Sequence, residues 1–263
     1  MHIISDFHSH VSRSSAAQMV QAARDKGITT LGLSEHDFQM REIRPILEHL
    51  PLEGALMPLA DYAAAVRSAA KQFQMDVRLG MEVDFIPAQN GAIHALIREQ
   101  PWDFLIGSVH EIDGVMFESD HLSWGLEEGQ AVWLRYMELL RAAVSSGYFS
   151  LVSHPVRMYR RNRHVPPTLD EELEKLAAEA ARYNVALELN GYDTLHYPEL
   201  VRRLARACAQ HHTPISVGSD AHRPGDIAQA HAQTAAILRE VGISTIRTWK
   251  QRQIEAYQMR DAD

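Results

Sequence analysis

One pattern recurs along this chain and limits what it can fold into. A short run of apolar or β-branched residues ends in a polar residue able to ligate a metal, and a stretch with apolar residues at helical spacing follows. Strands are expected over 3–7, 28–34, 76–81, 103–109, 149–152, 185–189 and 214–217. Helices are expected over 15–26, 44–50, 59–74, 92–98, 128–146, 170–183, 198–211, 227–241 and 245–258. Gly27 and Gly147 stand where helix C-termini favour glycine. Glu171, Glu172 and Glu174 open the helix over 170–183, where acidic groups suit the helix dipole. About seven β-α units with no repeated hairpin signature argue for a parallel sheet covered by helices. At 263 residues, a single domain spanning 1–263 is the natural reading, because (β/α) barrels of roughly 250 residues commonly form one unit.

The residues that close the strands carry the chemistry. His8 and His10 follow the first strand on the same side of the chain, since strand side chains alternate with period two. His36, Glu82, His110 and His154 close later strands, and Asp220 and His222 follow the last one. In a barrel these ends form a single ring. Any one such histidine is ordinarily a core residue bonded to backbone. All of them together, unpaired at one end of a barrel, would cost several kcal/mol, and a shared metal centre removes that penalty. Neutral imidazole suits a borderline divalent cation, and a carboxylate among imidazoles can bridge two, which makes Glu82 the natural bridge. Asp84 is read as structural and not as a ligand, and His2 as structural. His49, His94, His196, His211, His212 and His231 are read as solvated helix faces. His121 and His164 sit in loops that could fold over the mouth and touch substrate.

Composition excludes several functions. The formal charge of −8, from 34 acidic against 26 basic residues, gives no bulk attraction toward nucleic acid or an anionic membrane. Cys208 is the only cysteine, so no intrachain disulfide forms. No apolar run approaches the ~18 to 20 residues of a membrane span, and the opening Met-His-Ile-Ile-Ser-Asp lacks the features of a secretory signal. A cytoplasmic protein without nucleic-acid or membrane partners is expected; oligomeric state is not readable.

Taken together, H-x-H at His8 and His10, S-E-H-D around His36, G-M-E-V-D around Glu82, G-S-V-H ending at His110, S-H-P at His154 and G-S-D-A-H-R-P from Gly218 resemble the PHP (polymerase and histidinol phosphatase) family. The phrase ending at His110, with the Glu82 and Gly218 stretches, is most similar to its stand-alone histidinol-phosphate phosphatases. The resemblance implies a distorted (β/α)7 barrel, TIM-like, with two or three divalent metals (zinc, manganese or iron) at the C-terminal ends of the strands. One metal would take His8, His10, Glu82 and Asp220, and a second Glu82, His110 and His154. A third would take His36 and His222 with a ligand shortly after H-x-H.

Two departures stand out. Residues 11–16, Val-Ser-Arg-Ser-Ser-Ala, offer no histidine or aspartate for that third site. After Asn190, where the histidinol phosphatases carry an arginine, this chain reads Gly191-Tyr192. The basic cluster Arg157, Arg160, Arg161 and Arg163, with Arg223 after His222, could grip a phosphate bidentately, and Arg160, Arg161 and Arg223 are taken as substrate-binding. The implied reaction is hydrolysis of a small phosphate monoester, L-histidinol phosphate foremost. His36 and His222 would be catalytic, holding a metal or a proton for the leaving alkoxide. The alternatives are a PHP phosphoesterase acting on a nucleotide or sugar phosphate, and a non-catalytic PHP module. A carbamylated-lysine amidohydrolase is disfavoured because no lysine closes a strand.

Overall fold

The computed structural model describes residues 2–119 and 121–259. Seven parallel strands form one sheet: β1 (Ser5–Asp6), β2 (Thr30–Leu33), β3 (Asp76–Asp84), β4 (Phe104–Ser108), β7 (Leu151–Val152), β8 (Ala186–Asn190) and β9 (Ile215–Gly218), in that spatial order. β3 sets the stagger. Its first half pairs with β2, from Thr30↔Asp76 to Leu33↔Leu79, and its second half with β4, from Gly80↔Phe104 to Asp84↔Ser108. Such a displacement of neighbours along a strand is what tilts and curls a sheet toward a barrel.

Backbone bonds then draw the last strand toward the first without a continuous ladder. Phe7 N–H donates to the Val217 carbonyl (3.0 Å), Asp220 N–H to the His8 carbonyl (2.8 Å) and His10 N–H to the Ala221 carbonyl (2.8 Å). The Asp6 carboxylate pins the same seam, accepting from the amides of Ser219 (2.8 Å) and Ala228 (2.9 Å). The result is a nearly closed, distorted barrel of the expected type. The seam runs through residues that the sequence marks for chemistry, so the fold itself brings His8 and His10 against Asp220.

Helices cover the outside. α1 (Ala16–Asp25) is capped by the Ser15 hydroxyl, which accepts from Gln18 N–H, and buries Ala16, Met19, Val20 and Ala23 at 3.6-residue spacing. α2 (Leu59–Phe73), α3 (Asn90–Ile97), α4 (Leu126–Ser145), α5 (Leu169–Tyr183), α7 (Pro198–Gln210) and α8 (His231–Val241) follow the predicted positions to within a few residues. The short α6 (Gly191–His196) was not anticipated. It starts directly at the end of β8, with the Asn190 side chain accepting from Asp193 N–H.

Two further expectations give way. Residues 245–258 are not helical but an antiparallel hairpin, β10 (Thr245–Lys250) and β11 (Gln253–Gln258). Its two-residue turn, Gln251-Arg252, lies in the left-handed region (φ 51° and 64°) without the Asn-Gly or Asp-Gly signature of such turns. Tertiary bonds supply what local chemistry lacks: Asp103 accepts from Gln251 N–H through Oδ1 (2.8 Å) and from Arg252 N–H through its carbonyl (2.9 Å). Residues 44–50 form successive turns and not a helix (Ile46 N–H to Ile43 O, Leu47 N–H to Arg44 O). A second hairpin, β5 (Glu111–Ile112) with β6 (Val115–Met116), turns on Asp113-Gly114, a hairpin signature the chain does carry.

The β10–β11 hairpin closes the N-terminal end of the barrel. Trp249 lies edge-on to Phe7 (5.8 Å between centroids) and stacks on Phe104 (6.4 Å), completing an interior layer with Ile106, Leu151 and Ala186. Aromatic mass therefore plugs one end, which leaves the other for polar groups. Trp249→Ala is expected to destabilise the protein by about 3 to 5 kcal/mol in urea unfolding, the range for a large side chain removed from a core. A loss below about 1 kcal/mol would show that the hairpin is ornamental.

Candidate metal centre

Glu82, near the end of β3, is buried at the centre of the strand-end ring. Its two carboxylate oxygens divide five histidines between them. Oε2 lies 3.2 Å from His8 Nε2, 3.5 Å from His10 Nε2 and 2.8 Å from His36 Nδ1. Oε1 lies 3.2 Å from His154 Nε2 and 3.5 Å from His110 Nε2, and accepts from the Ser108 hydroxyl (2.6 Å). Asp220 Oδ1 joins the first set, 3.3 Å from His10 Nε2 and 3.7 Å from His8 Nε2. His222 stacks on the His10 ring at 4.2 Å, as His36 does on its own side. The structure thus gathers all eight expected metal ligands in one place.

Behind the ring stands a layer of carboxylates that the sequence did not announce. His8 Nδ1 faces Glu188 Oε1 (2.7 Å), His110 Nδ1 faces Asp84 Oδ1 (2.9 Å) and His10 Nδ1 lies 3.5 Å from Glu35 Oε1. A carboxylate at Nδ1 fixes the tautomer and leaves Nε2 as a lone pair, the arrangement metal-ligating histidines use. Asp84 is structural as expected, and its task is specific: it orients His110. Glu35 is held in turn by the amides of Val11 (2.7 Å), Ser12 (2.6 Å) and His36 (3.0 Å). Gly218 makes room for the His8–Glu188 pair, since a Cβ there would sit 2.2 Å from His8 Cβ and 2.5 Å from Glu188 Oε1. His154 (φ 32°) and Asp220 (φ 57°) adopt left-handed backbone that L-residues visit rarely, and such strain concentrates at functional sites.

These residues fit divalent cations on grounds internal to the structure. His8 Nε2, His10 Nε2, His36 Nδ1 and Glu82 Oε2 are buried without a hydrogen-bond partner, each a liability of roughly 1 to 3 kcal/mol if left unsatisfied. Three overlapping sets, His8–His10–Glu82, His36–Glu82–His110 and His10–His36–His222, hold their ligand atoms within 4.8 Å of one another. The centre is a divalent-metal site.

The cleft above it, of about 740 Å³, tests the remaining expectations. Arg160 lines it, with Nη1 3.2 Å from Glu118 Oε2. Arg161 instead sends Nε to the Glu118 carbonyl (3.0 Å), and Arg223 is exposed; neither is among the lining residues. Arg163 lies over the Tyr159 ring, 4.1 Å from its centroid. The buried arginine is Arg157, bonded to Asp193 (2.7 Å), Asp220 Oδ2 (2.7 Å) and Asn190 Oδ1 (2.9 Å). His121 and His164 do not line the cleft. His196, read as a solvated face, does line it and packs on Tyr192 (4.3 Å). His231, also read as solvated, is buried with Nε2 3.0 Å from the Ser5 carbonyl, and His49 pairs with Glu111. Glu53 and Glu118 line the cleft and had no sequence signal beyond their loops.

Charge in the ring has a definite sign in the metal-free protein. Burial alone would lower the histidines, but Asp220 and Glu35 raise His10 to about 9, and Asp84 with Glu82 raises His110 to about 10. His8 is raised well above its usual value against burial by Glu188, Glu82 and Asp220. Glu53, despite burial, is held at about 2 by His222, His36 and His10. A raised imidazole contributes stability that is fully present below about pH 6.5 and lost as pH climbs through its folded value. Chelator-treated protein should therefore lose melting temperature between about pH 7 and 10, while metal-loaded protein, whose cations replace those protons, should not. A melting temperature of chelated protein that rises across this window would refute the assignment. Glu82→Gln should weaken metal retention by more than the about 10- to 100-fold that outer-layer partners command, read as metal content after dialysis; unchanged content would remove Glu82 as the bridge.

Comparison with known proteins agrees with this geometry. A "Probable histidinol-phosphatase" of Deinococcus radiodurans is 28% identical over 249 residues, 90% of this chain and 91% of its own. The crystal structure of histidinol phosphate phosphatase from Lactococcus lactis, complexed with zinc, L-histidinol and phosphate, superposes with a TM-score of 0.78 at 19% identity, over 95% of this chain and 98% of that one. A chain of an archaeal ribonuclease P with mature tRNA shares the fold more distantly (TM-score 0.54, 13% identity, 89% of this chain and 81% of that one). The PHP domain model matches residues 1–191, most of the chain, and the protein belongs to the PHP domain family.

Proposed function

We propose that the chain, read as one domain over 1–263, is a metal-dependent phosphomonoesterase that hydrolyses L-histidinol phosphate to L-histidinol and phosphate. The observation that carries the reading is the division of five histidines between the two oxygens of Glu82. A carboxylate so surrounded would hold two cations. His8, His10, Glu82 and Asp220 would hold one, and Glu82, His110 and His154 the other. When bound, zinc, manganese or iron supplies the Lewis acidity that makes water nucleophilic at neutral pH and offsets charge on the phosphoryl group.

The remaining work falls to this chain's own side chains. Asp84 and Glu188 hold the His110 and His8 imidazoles in one tautomer and one orientation, and Glu35 sets a negative charge 3.5 Å behind His10, so little reorganisation is needed as charge shifts. His36 and His222 form the edge of the ring open to the cleft and would neutralise the leaving alkoxide. That edge must deliver positive charge, either a proton from an imidazole or a cation held between the two rings. Arg160, at the cleft wall, would bind phosphate; the buried Arg157 places its guanidinium beside Asn190, where the family's own arginine is missing. Glu118 gives the cleft an acidic group suited to the ammonium of an amino alcohol.

Purified, metal-loaded protein should turn over L-histidinol phosphate at least about tenfold more efficiently than nucleotide or sugar monophosphates. A nucleotide preference would move the substrate while keeping the reaction, and no hydrolysis of any ester would leave a non-catalytic module. Arg160→Ala should raise KM for histidinol phosphate about tenfold with kcat little changed, as expected for one lost charge-assisted contact. His222→Ala should lower kcat about 100-fold or more; full turnover would take His222 out of the mechanism.

A further inference from the structure

The third cation site lacks its expected ligand in residues 11–16, yet the geometry around His222 is that of a ligand set. His222 Nδ1 lies 3.1 Å from the Asp220 carbonyl, which accepts its proton and leaves Nε2 as a lone pair. That lone pair faces Glu53 Oε2 at 3.0 Å, and His222 and Glu53 are each about one-fifth exposed. Glu53 Oε2 is shielded from solvent and makes no aligned hydrogen bond. Two acceptors this close need a positive charge between them; a proton there makes no aligned hydrogen bond, whereas a cation would be bound by both atoms. His36 and His10 stand with His222 in one set of ligand nitrogens within 4.8 Å of one another, and Glu53 meets that set through His222.

We propose that Glu53, from the loop after β2, supplies the carboxylate ligand of a third divalent cation held with His36 and His222, in place of a ligand from residues 11–16. The proposal rests on the reading of the ring around Glu82 as a metal centre. The loop that lost the ligand now positions its replacement. Arg13 Nη2 binds Glu53 Oε1 at 3.2 Å, which turns Oε2 toward His222. Gly54 lets the loop lie flat on Ser12, since a Cβ there would sit 2.6 Å from the Ser12 carbonyl oxygen. Histidine with carboxylate is a donor set that zinc accepts, with carboxylate oxygen at about 2.0 to 2.2 Å.

The test counts metal and does not depend on turnover. Full-length protein and Glu53→Gln are loaded with zinc, desalted, and assayed for zinc per chain and for loss to a graded chelator. Wild type should keep three ions and Glu53→Gln two, the two survivors leaving at the same chelator concentration as in wild type. Arg13→Gln should keep the third ion but release it at a chelator concentration lower by about tenfold, as for loss of an outer-layer partner. Anomalous diffraction from zinc-loaded wild-type crystals should place a peak within coordinating reach of Glu53. Wild type holding only two ions, Glu53→Gln holding three with unchanged release, or a third peak out of coordinating reach of Glu53 Oε2 would each overturn the proposal. Failure of wild type to hold any zinc would overturn the metal centre as well, a distinct result.

Discussion

Everything at the C-terminal end of this barrel depends on one buried carboxylate being pulled in two directions. Glu82 lies on the longest strand, β3, whose two halves pair with different neighbours. It therefore stands where β2 and β4 diverge, and the histidines on the β1–β2 side reach one oxygen while those on the β4–β7 side reach the other. Stagger in the sheet becomes separation of two ligand sets. A glutamine in the same place would keep the shape and lose the charge that lets the sets share one group.

The barrel tolerates this because polar and apolar demands sit at opposite ends. Phe7, Phe104 and Trp249 fill the N-terminal end with aromatic contacts. Phe7 directly precedes His8, so one short segment anchors both the plug and the metal ring. Two of the carboxylates behind the ring are in turn held by backbone amides, Glu35 by Val11, Ser12 and His36 and Glu188 by His154. Rigidity thus reaches the ligands through bonds to main chain, which loops alone would not provide.

The strand-end rule made most of this legible. His8, His10, His36, Glu82, His110, His154, Asp220 and His222 were visible because each closes an apolar run, and a barrel has only one rim on which such ends can meet. The outer carboxylates were hidden for the opposite reason. Glu188 lies mid-strand among apolar neighbours, and only the pairing of β8 with β9, which brings it to His8 past Gly218, reveals its use. The closing hairpin was misread because Gln251 and Arg252 carry no turn signal, their conformation being held by Asp103 at 103, far away in the chain. Among the arginines after His154, proximity could not say which would be buried; Arg157 meets Asp193, Asn190 and Asp220, while Arg161 reaches the Glu118 carbonyl.

Protons and cations compete for the same seats in this ring. Where carboxylates outweigh burial, at His8, His10 and His110, the metal-free imidazole holds its proton and a cation must displace it. His154 is the contrast. Burial and then the nearby Arg157 guanidinium lower it, so it presents a lone pair whether or not metal is bound. Arg157 reaches that position only because Asp193, Asn190 and Asp220 hold it there, and Asp220 is itself a ligand of the other set. One guanidinium therefore ties the protonation of a histidine on β7's end to the orientation of a carboxylate after β9, across the seam that brings the barrel round.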